Sequence, residues 1–265
     1  MSLQAKIATV GGDTWATTKC IAIWPWPATM IGYKKSLFLG EDYRAFTKLL
    51  EPGDMILTRS KGYLSNRAIK STAFKHLAIY TGVVEGYMKD GFIQKPRQKL
   101  VYDDSPGVFK RTVTHAISEG VVCQDLYDFF GHVDFACAVR CVESRVKADD
   151  IVDSALKCVG LGYNFDFKPT GPKALYCTEL GVHCLRENNI DVPNTIDLNV
   201  SILGMFLPLK RFKASVTVAD AFIESFKLIV TSVSSNDRSL WDSSYCSEIL
   251  RQKILAAPDA RVLNR

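Results

Sequence analysis

The sequence predicts one α+β domain with additions at both ends, and three observations carry that prediction. Short segments of strand character recur between Glu51 and Val142, punctuated by glycine, proline and aspartate. From Asp149 onward apolar residues fall at helical spacing. The 265 residues are 47% hydrophobic and 23% charged, the balance of a globular protein able to bury a core of its own. With ten prolines and 17 glycines the chain is too poor in both for a fibrous or low-complexity protein. It shows no repeat at a solenoid period.

Residues 1–48 read as a tryptophan-rich extension containing Trp15, Trp24 and Trp26. Trp24-Pro-Trp-Pro27 suits neither a helix interior nor a central strand, because each proline lacks an amide donor. The extension is expected to strap aromatics over the core or to serve as a docking arm for a protein partner. The main domain follows over 49–235. Glu51-Pro-Gly-Asp54 is a turn and Met55-Ile-Leu-Thr58 a short strand. Ser60 to Phe74 reads as a loop with a short helix. His76 to Gly82 is a strand with His76, Ala78 and Tyr80 on one face and Leu77 and Ile79 on the other. Gly86 to Gly107 is a polar hairpin or flap. Arg111 to Ala116, which sets Val113 and His115 on one face, Gly120 to Cys123, and Phe135 to Val142 are further strands.

Ile151, Val152, Ala155, Leu156 and Val159 define a helix over Asp149 to Val159, with acidic residues at its start. After a glycine-punctuated loop, Gly160 to Phe167, a second helix is expected from about Tyr176 to Asn188, with Cys177, Leu180, Cys184 and Leu185 on one stripe. Thr217-Val-Ala-Asp220 has capping-box spacing before a helix over Ala221 to Ile229. Residues 236–265 form a C-terminal extension whose Ser239 to Ala256 reads as one amphipathic helix.

The net charge of +5, with 33 Lys and Arg against 28 Asp and Glu, is spread in short groups. Lys34-Lys35, the set Lys95, Arg97 and Lys99, and the set Lys210, Arg211 and Lys213 read as solvated faces, so no nucleic-acid partner is expected. The charge suits electrostatic steering toward an anionic polymer. The eight cysteines include no Cys-x-x-Cys pair and read mostly as small buried hydrophobes of a reducing compartment. Met1 to Gly12 lacks a basic stretch followed by an apolar core, and Cys20 to Gly32 is too short to span a bilayer. A cytoplasmic protein without stable membrane insertion is expected. No dinucleotide or P-loop fingerprint follows any strand, so no cofactor is expected. Cys177, His183 and Cys184 are poorly spaced on a helix for one tetrahedral zinc, so no metal is expected.

Four histidines are present, and His76 and His115 lie inside expected strands. Cys177 opens a helix, where the macrodipole lowers a thiol's pKa toward thiolate. A neighbouring imidazole can take the thiol proton and return it to a leaving amine, and a second polar ring can hold that imidazole in one tautomer.

Several segments carry a resemblance. Glu51 to Leu57, Phe74 to Gly82, Thr112 to Ala116, Gly120 to Val122 with Leu126 to Phe130, Gly162 to Phe167 and Tyr176 to Leu180 follow the order of the circularly permuted NlpC-type papain-like proteins. The resemblance is to the YiiX/YaeF-like branch, related to lecithin retinol acyltransferase, and covers roughly Glu51 to Val233. It implies a permuted papain-like fold, an antiparallel sheet packed against a nucleophile-bearing helix. It also implies Cys177 as nucleophile, His76 as base and His115 as the third polar residue. The Cys177 amide is a plausible oxyanion donor, and Tyr163 or Tyr176 can add a hydroxyl. Lys75 stands where the family usually has a small polar residue. Tyr245-Cys-Ser-Glu-Ile249 is a rival nucleophile motif, set aside because Cys246 is expected in mid-helix.

The implied activity is a cysteine amidase or endopeptidase acting on peptides or peptidoglycan stem peptides through a thioester. Two rivals stand beside it: an acyl hydrolase or acyltransferase acting on lipids with the same triad, and a structural or virion component that uses the domain for binding. A wall-degrading enzyme without an export signal would be delivered by lysis or within a particle.

Overall fold

The computed structural model describes residues 37–60, 72–99, 105–131, 133–142, 146–164, 167, 173–200, 212–241, 246–259 and 263. Trp15, Trp24, Trp26, His132 and most of the loop expected over 60–74 lie outside the described residues. Helix α1, Gly40–Leu49, begins where the Asp42 carboxylate accepts the Leu39 amide at 2.7 Å. Strands β1 Met55–Arg59, β2 His76–Lys89, β3 Phe92–Gln98, β4 Val108–Ile117 and β5 Gly120–Asp125 follow. Next come α2 Leu126–Phe130 and β6 Phe135–Arg140, then α3 Val146–Lys157 and α4 Cys177–Glu187. Strands β7 Thr195–Val200 and β8 Phe212–Thr217, helix α5 Ala219–Ser225, β9 Lys227–Thr231 and helices α6 Arg238–Trp241 and α7 Glu248–Leu255 complete the described elements.

Seven strands form an antiparallel sheet in the order β3-β5-β4-β2-β1-β6-β9. Because β3 also pairs with β2, strands β2, β4, β5 and β3 close on one another as a small barrel, and β1, β6 and β9 extend from it. Of the flap expected over Gly86 to Gly107, residues 86–98 form the β2–β3 hairpin, turned at Asp90 and Gly91 with φ of 54° and 82°, and 100–104 lie outside the described residues. Strands β7 and β8 form a separate two-stranded ribbon.

Period-2 alternation divides the core between the two faces of the sheet. Met55, Leu57, Leu77, Ile79, Cys137 and Val139 face the helical side, where they meet Ile151, Ala155, Leu180, Cys184, Phe222, Leu250 and Ile254. Ile56, Ala78, Tyr80, Val113, Ala136 and Val230 face the other side and pack against Phe38, Phe46, Phe129 and Phe130. On that side the Phe38 and Phe130 rings stack at 4.3 Å, so the end of the expected N-terminal extension contributes to the core.

Three expectations are corrected. The helix expected over 221–229 stops at Ser225, because Phe226 is extended and Lys227–Thr231 pairs with β6 as the sheet's last strand. The capping box is not formed either: Val218 is the N-cap, without a side-chain hydrogen bond, and the Asp220 carboxylate turns to other amides. The single C-terminal helix is two pieces, and the Ser247 hydroxyl caps the second by accepting the Leu250 amide at 3.1 Å. Cys246 therefore precedes a helix instead of lying within one. Among the described residues no helix is long and apolar enough to cross a membrane.

One ionic junction ties α1, the 51–54 turn and β6. Arg140 donates from Nε to Asp54 Oδ1 at 2.7 Å and from a guanidinium NH₂ to Asp54 Oδ2 at 2.9 Å, and it also reaches Glu51 at 2.9 Å and the Leu49 carbonyl at 3.0 Å. The Asp54 side chain is 1% exposed. Removing one partner of such a pair strands the other, at a cost of about 3–5 kcal/mol when both are buried. Arg140 is partly exposed, so Asp54→Ala is expected to cost ~3 kcal/mol, read as a lower urea midpoint with unchanged slope. A midpoint equal to that of the parent chain would contradict this role.

Candidate active site

The loop before α4 is fixed first. Gly160 N–H donates to the Val121 carbonyl at 2.9 Å and Val121 N–H to the Leu161 carbonyl at 2.8 Å, which lays the loop along β5. Gly120 makes this approach possible: its φ is +108°, and a Cβ there would sit 2.3 Å from the Leu161 oxygen. Leu175 N–H then closes the loop on the Gly162 carbonyl at 2.9 Å. Glu179, in the first turn of α4, accepts from the Tyr176 amide at 3.2 Å and from Asn164 Nδ2 at 2.9 Å. One carboxylate thus joins the loop's asparagine to the amide just ahead of Cys177, a favourable place for negative charge. Thr178 Oγ1 donates to the Thr217 carbonyl at 2.6 Å and anchors the same turn to β8.

Cys177 is the first residue of α4 and is 9% exposed. Its thiol donates to the Lys75 carbonyl at 3.9 Å, and the amides of Leu77, Thr178 and Cys177 itself hydrogen-bond toward the sulfur. The sulfur is therefore bracketed by main chain on either side of His76, and its hydrogen bonds run to main-chain groups. Burial pushes the Cys177 thiol above its ordinary pKa, and the three amides pull the other way without winning. The expected lowering at the helix start is thus outweighed by desolvation.

His76 opens β2 opposite Thr58 of β1. His115, 4% exposed, lies opposite Ala78. His76 Nε2 and His115 Nδ1 are 2.9 Å apart, and His115 Nε2 lies 3.1 Å from Gln124 Oε1. Gln124 faces Val113 across β4 and β5 and reaches His115 diagonally. The Phe129 ring stands edge-on to His115 at 5.2 Å and tilted over His76 at 6.2 Å. The Gln124 amide oxygen, which only accepts, is turned to His115, and the assigned tautomer has His115 carrying its proton on Nε2 and offering the Nδ1 lone pair. His76 then donates from Nε2, which leaves Nδ1 as its basic nitrogen.

The structure thus joins His76 to His115 ring to ring and sets Cys177 against the His76 main chain. The sequence reading missed Gln124 and Phe129; the signal for Gln124 was a polar residue in phase with His115 on neighbouring strands. Tyr176, 8% exposed, packs against Phe167 at 5.2 Å, and Tyr163 packs beside it. Burial raises both phenol pKa values and the nearby Glu179 carboxylate raises them further, so both hydroxyls stay protonated. Cys246 lies near Asp220, and burial pushes its thiol up to about 11. His183 pairs with Glu187 at 3.4 Å. Among the described residues no group of three or more His, Cys, Asp or Glu side chains is placed to hold a metal.

Residues 49–228 match the family described as permuted papain-like amidase enzymes, YaeF/YiiX, the C92 family. The comparison with curated proteins found no match. Among solved structures the chain is similar to the crystal structure of the metalloprotein YiiX from Escherichia coli O157:H7, at 17% identity and a TM-score of 0.46, covering 70% of this chain and 97% of that one. The family match spans well over half of the chain and includes β1 to β6, the Cys177 helix and both strand histidines. This chain belongs to the permuted papain-like amidase family.

Proposed function

We propose that the protein is an amide hydrolase with a Cys177–His76–His115 triad, acting on peptides and in particular on peptidoglycan stem peptides. The observation that carries the reading is the chain Gln124–His115–His76, which ends at the strand whose main chain holds the Cys177 sulfur. The thiol is neutral at rest and bonded to main chain, so the His76 ring must first swing to the sulfur; the Cys177 proton then passes to His76 Nδ1 as the sulfur attacks the substrate carbonyl carbon. The carbonyl oxygen takes up negative charge in the tetrahedral intermediate, where the Cys177 amide and a tyrosine hydroxyl can stabilise it. His76 returns the proton to the leaving nitrogen as the C–N bond breaks, giving a thioester and a free amine. Water then attacks the thioester, His76 takes its proton, and the carboxylic acid leaves as the thiol is restored. His115 shares the positive charge that develops on His76 and holds its ring, while Gln124 fixes the tautomer of both. The net charge of +5 favours an anionic wall fragment as the substrate.

Muropeptides and acyl lipids incubated with the full chain, with products identified by mass, separate amide cleavage from acyl transfer. Cleaved stem peptides are expected, and a product set containing only deacylated lipid would replace the substrate class. Cys177→Ala and His76→Ala are each expected to lower kcat by at least ~10²-fold, with Cys246→Ala near the parent rate. Loss of activity in Cys246→Ala alone would move the nucleophile to the rival motif. Gln124→Leu is expected to lower kcat ~10-fold at unchanged KM by releasing the His115 tautomer, and Gln124→Glu, which keeps an acceptor, to restore most of it. Equal rates in Gln124→Leu and the parent would remove Gln124 from the relay.

A further inference from the structure

Asp220 is a buried carboxylate that the reaction scheme leaves unused. It stands in the first turn of α5 at 7% exposure, and both of its oxygens are engaged. Oδ2 accepts the Ala73 amide at 2.7 Å and Oδ1 the Phe74 amide at 2.8 Å, partners 147 and 146 positions away in sequence. The two amides belong to the segment that leads into His76. Other contacts hold that segment. Lys75 N–H donates to the Thr58 carbonyl at 2.9 Å, Lys75 Nζ donates to the Thr72 carbonyl and to the Thr72 hydroxyl, the latter at 3.0 Å, and the Arg59 guanidinium reaches the Ala73 carbonyl at 3.4 Å. Its last residue, Lys75, supplies the carbonyl that receives the Cys177 thiol.

We propose that Asp220 is a positioning residue for the active site: its carboxylate clamps the amides of Ala73 and Phe74 and so fixes the Lys75 carbonyl and the His76 ring relative to the Cys177 sulfur. The proposal rests on the triad reading for its catalytic consequence but not for its structural one. The groups that face Asp220 are Lys75 and Arg59 from the clamped segment and β1, Glu224 from its own helix, Cys137 from β6 and Cys246 from before α7.

Titration argues against a merely stabilising role. Burial raises the Asp220 pKa to about 6, with the two amides and Lys75 opposing. A carboxyl raised above its unfolded value contributes stability that is present below about pH 4 and lost as pH rises through about 6. At neutral pH the ionised form is therefore held at a cost to the fold. What it supplies in return is a two-pronged acceptor for adjacent amides, and neither a protonated carboxyl nor an asparagine offers that, because each places a donor against one N–H.

The test uses the full chain with Asp220→Asn and Asp220→Glu, and follows kcat, KM, the pH profile and iodoacetamide alkylation of Cys177 by peptide mass. The proposal predicts that Asp220→Asn lowers kcat ~10–100-fold with KM within about twofold, removes a limb near pH 6 from the kcat profile, and speeds Cys177 alkylation. Asp220→Glu is expected to recover part of kcat. Unchanged kcat and unchanged alkylation in folded Asp220→Asn would overturn it. Alkylation needs no substrate: faster labelling in Asp220→Asn with no amide hydrolysis by the parent would sink the triad reading and leave the clamp standing. If Asp220→Asn does not fold, Asp220→Glu and the pH dependence of parent Cys177 alkylation decide. A break near pH 6 in the parent that moves in Asp220→Glu supports the clamp, and a break at the same pH in both, as the imidazoles alone would give, overturns it.

Discussion

The hydrogen bond between the His76 and His115 rings is the constraint on which the site depends. At 2.9 Å across neighbouring strands it exists only if β2 and β4 pair in the observed register, Ala78 opposite His115. A one-residue slip of either strand would turn its ring to the opposite face and part the pair. The closed β2-β4-β5-β3 barrel resists such a slip, because each of its strands is paired on both sides. The same closure brings Gln124 under His115 and allows the Phe129 ring to cover both imidazoles.

The sulfur is delivered from the other side of the sheet by a different set of bonds. Leu77 and Leu180 seat α4 in the larger core, Glu179 and Thr178 fix its first turn, and Gly120 admits the loop that leads to it. The two halves meet at the start of β2, where main chain rather than side chain receives the thiol. That arrangement explains a neutral resting thiol in spite of a helix N-terminus: desolvation of a nearly sealed sulfur exceeds what three amides return. In the proposed reaction, activation falls to the imidazole pair, whose polarity is set by a neutral amide three groups away from the sulfur.

Much of this was legible in the sequence where local pattern decides. The alternation around Leu77 and Ile79 placed His76 on its face, and helical spacing put Cys177 in a first turn. The errors arose where distant partners decide. Lys227–Thr231 reads as a helix continuation in isolation, and becomes a strand because β6 offers it a free edge. Asp220 has capping spacing, yet its oxygens find amides almost 150 positions away. Gln124 looks like an exposed strand residue until the barrel closes, and Ser247 starts a helix in what periodicity alone presents as one continuous stretch. Burial of Cys177 depends on the packing of α4, β2 and β8 together, which spacing does not encode.

In the proposed reaction Gln124 and His115 leave His76 with its proton on Nε2 and a lone pair on Nδ1. Nitrogen-15 NMR of the histidine-labelled protein near neutral pH reads this directly through the couplings of each ring nitrogen to the carbon-bound protons. The account predicts the Nε2–H tautomer for both His76 and His115. A His76 ring protonated on Nδ1, with its Nε2 accepting from His115, would contradict it, because no basic nitrogen would then remain for the Cys177 proton.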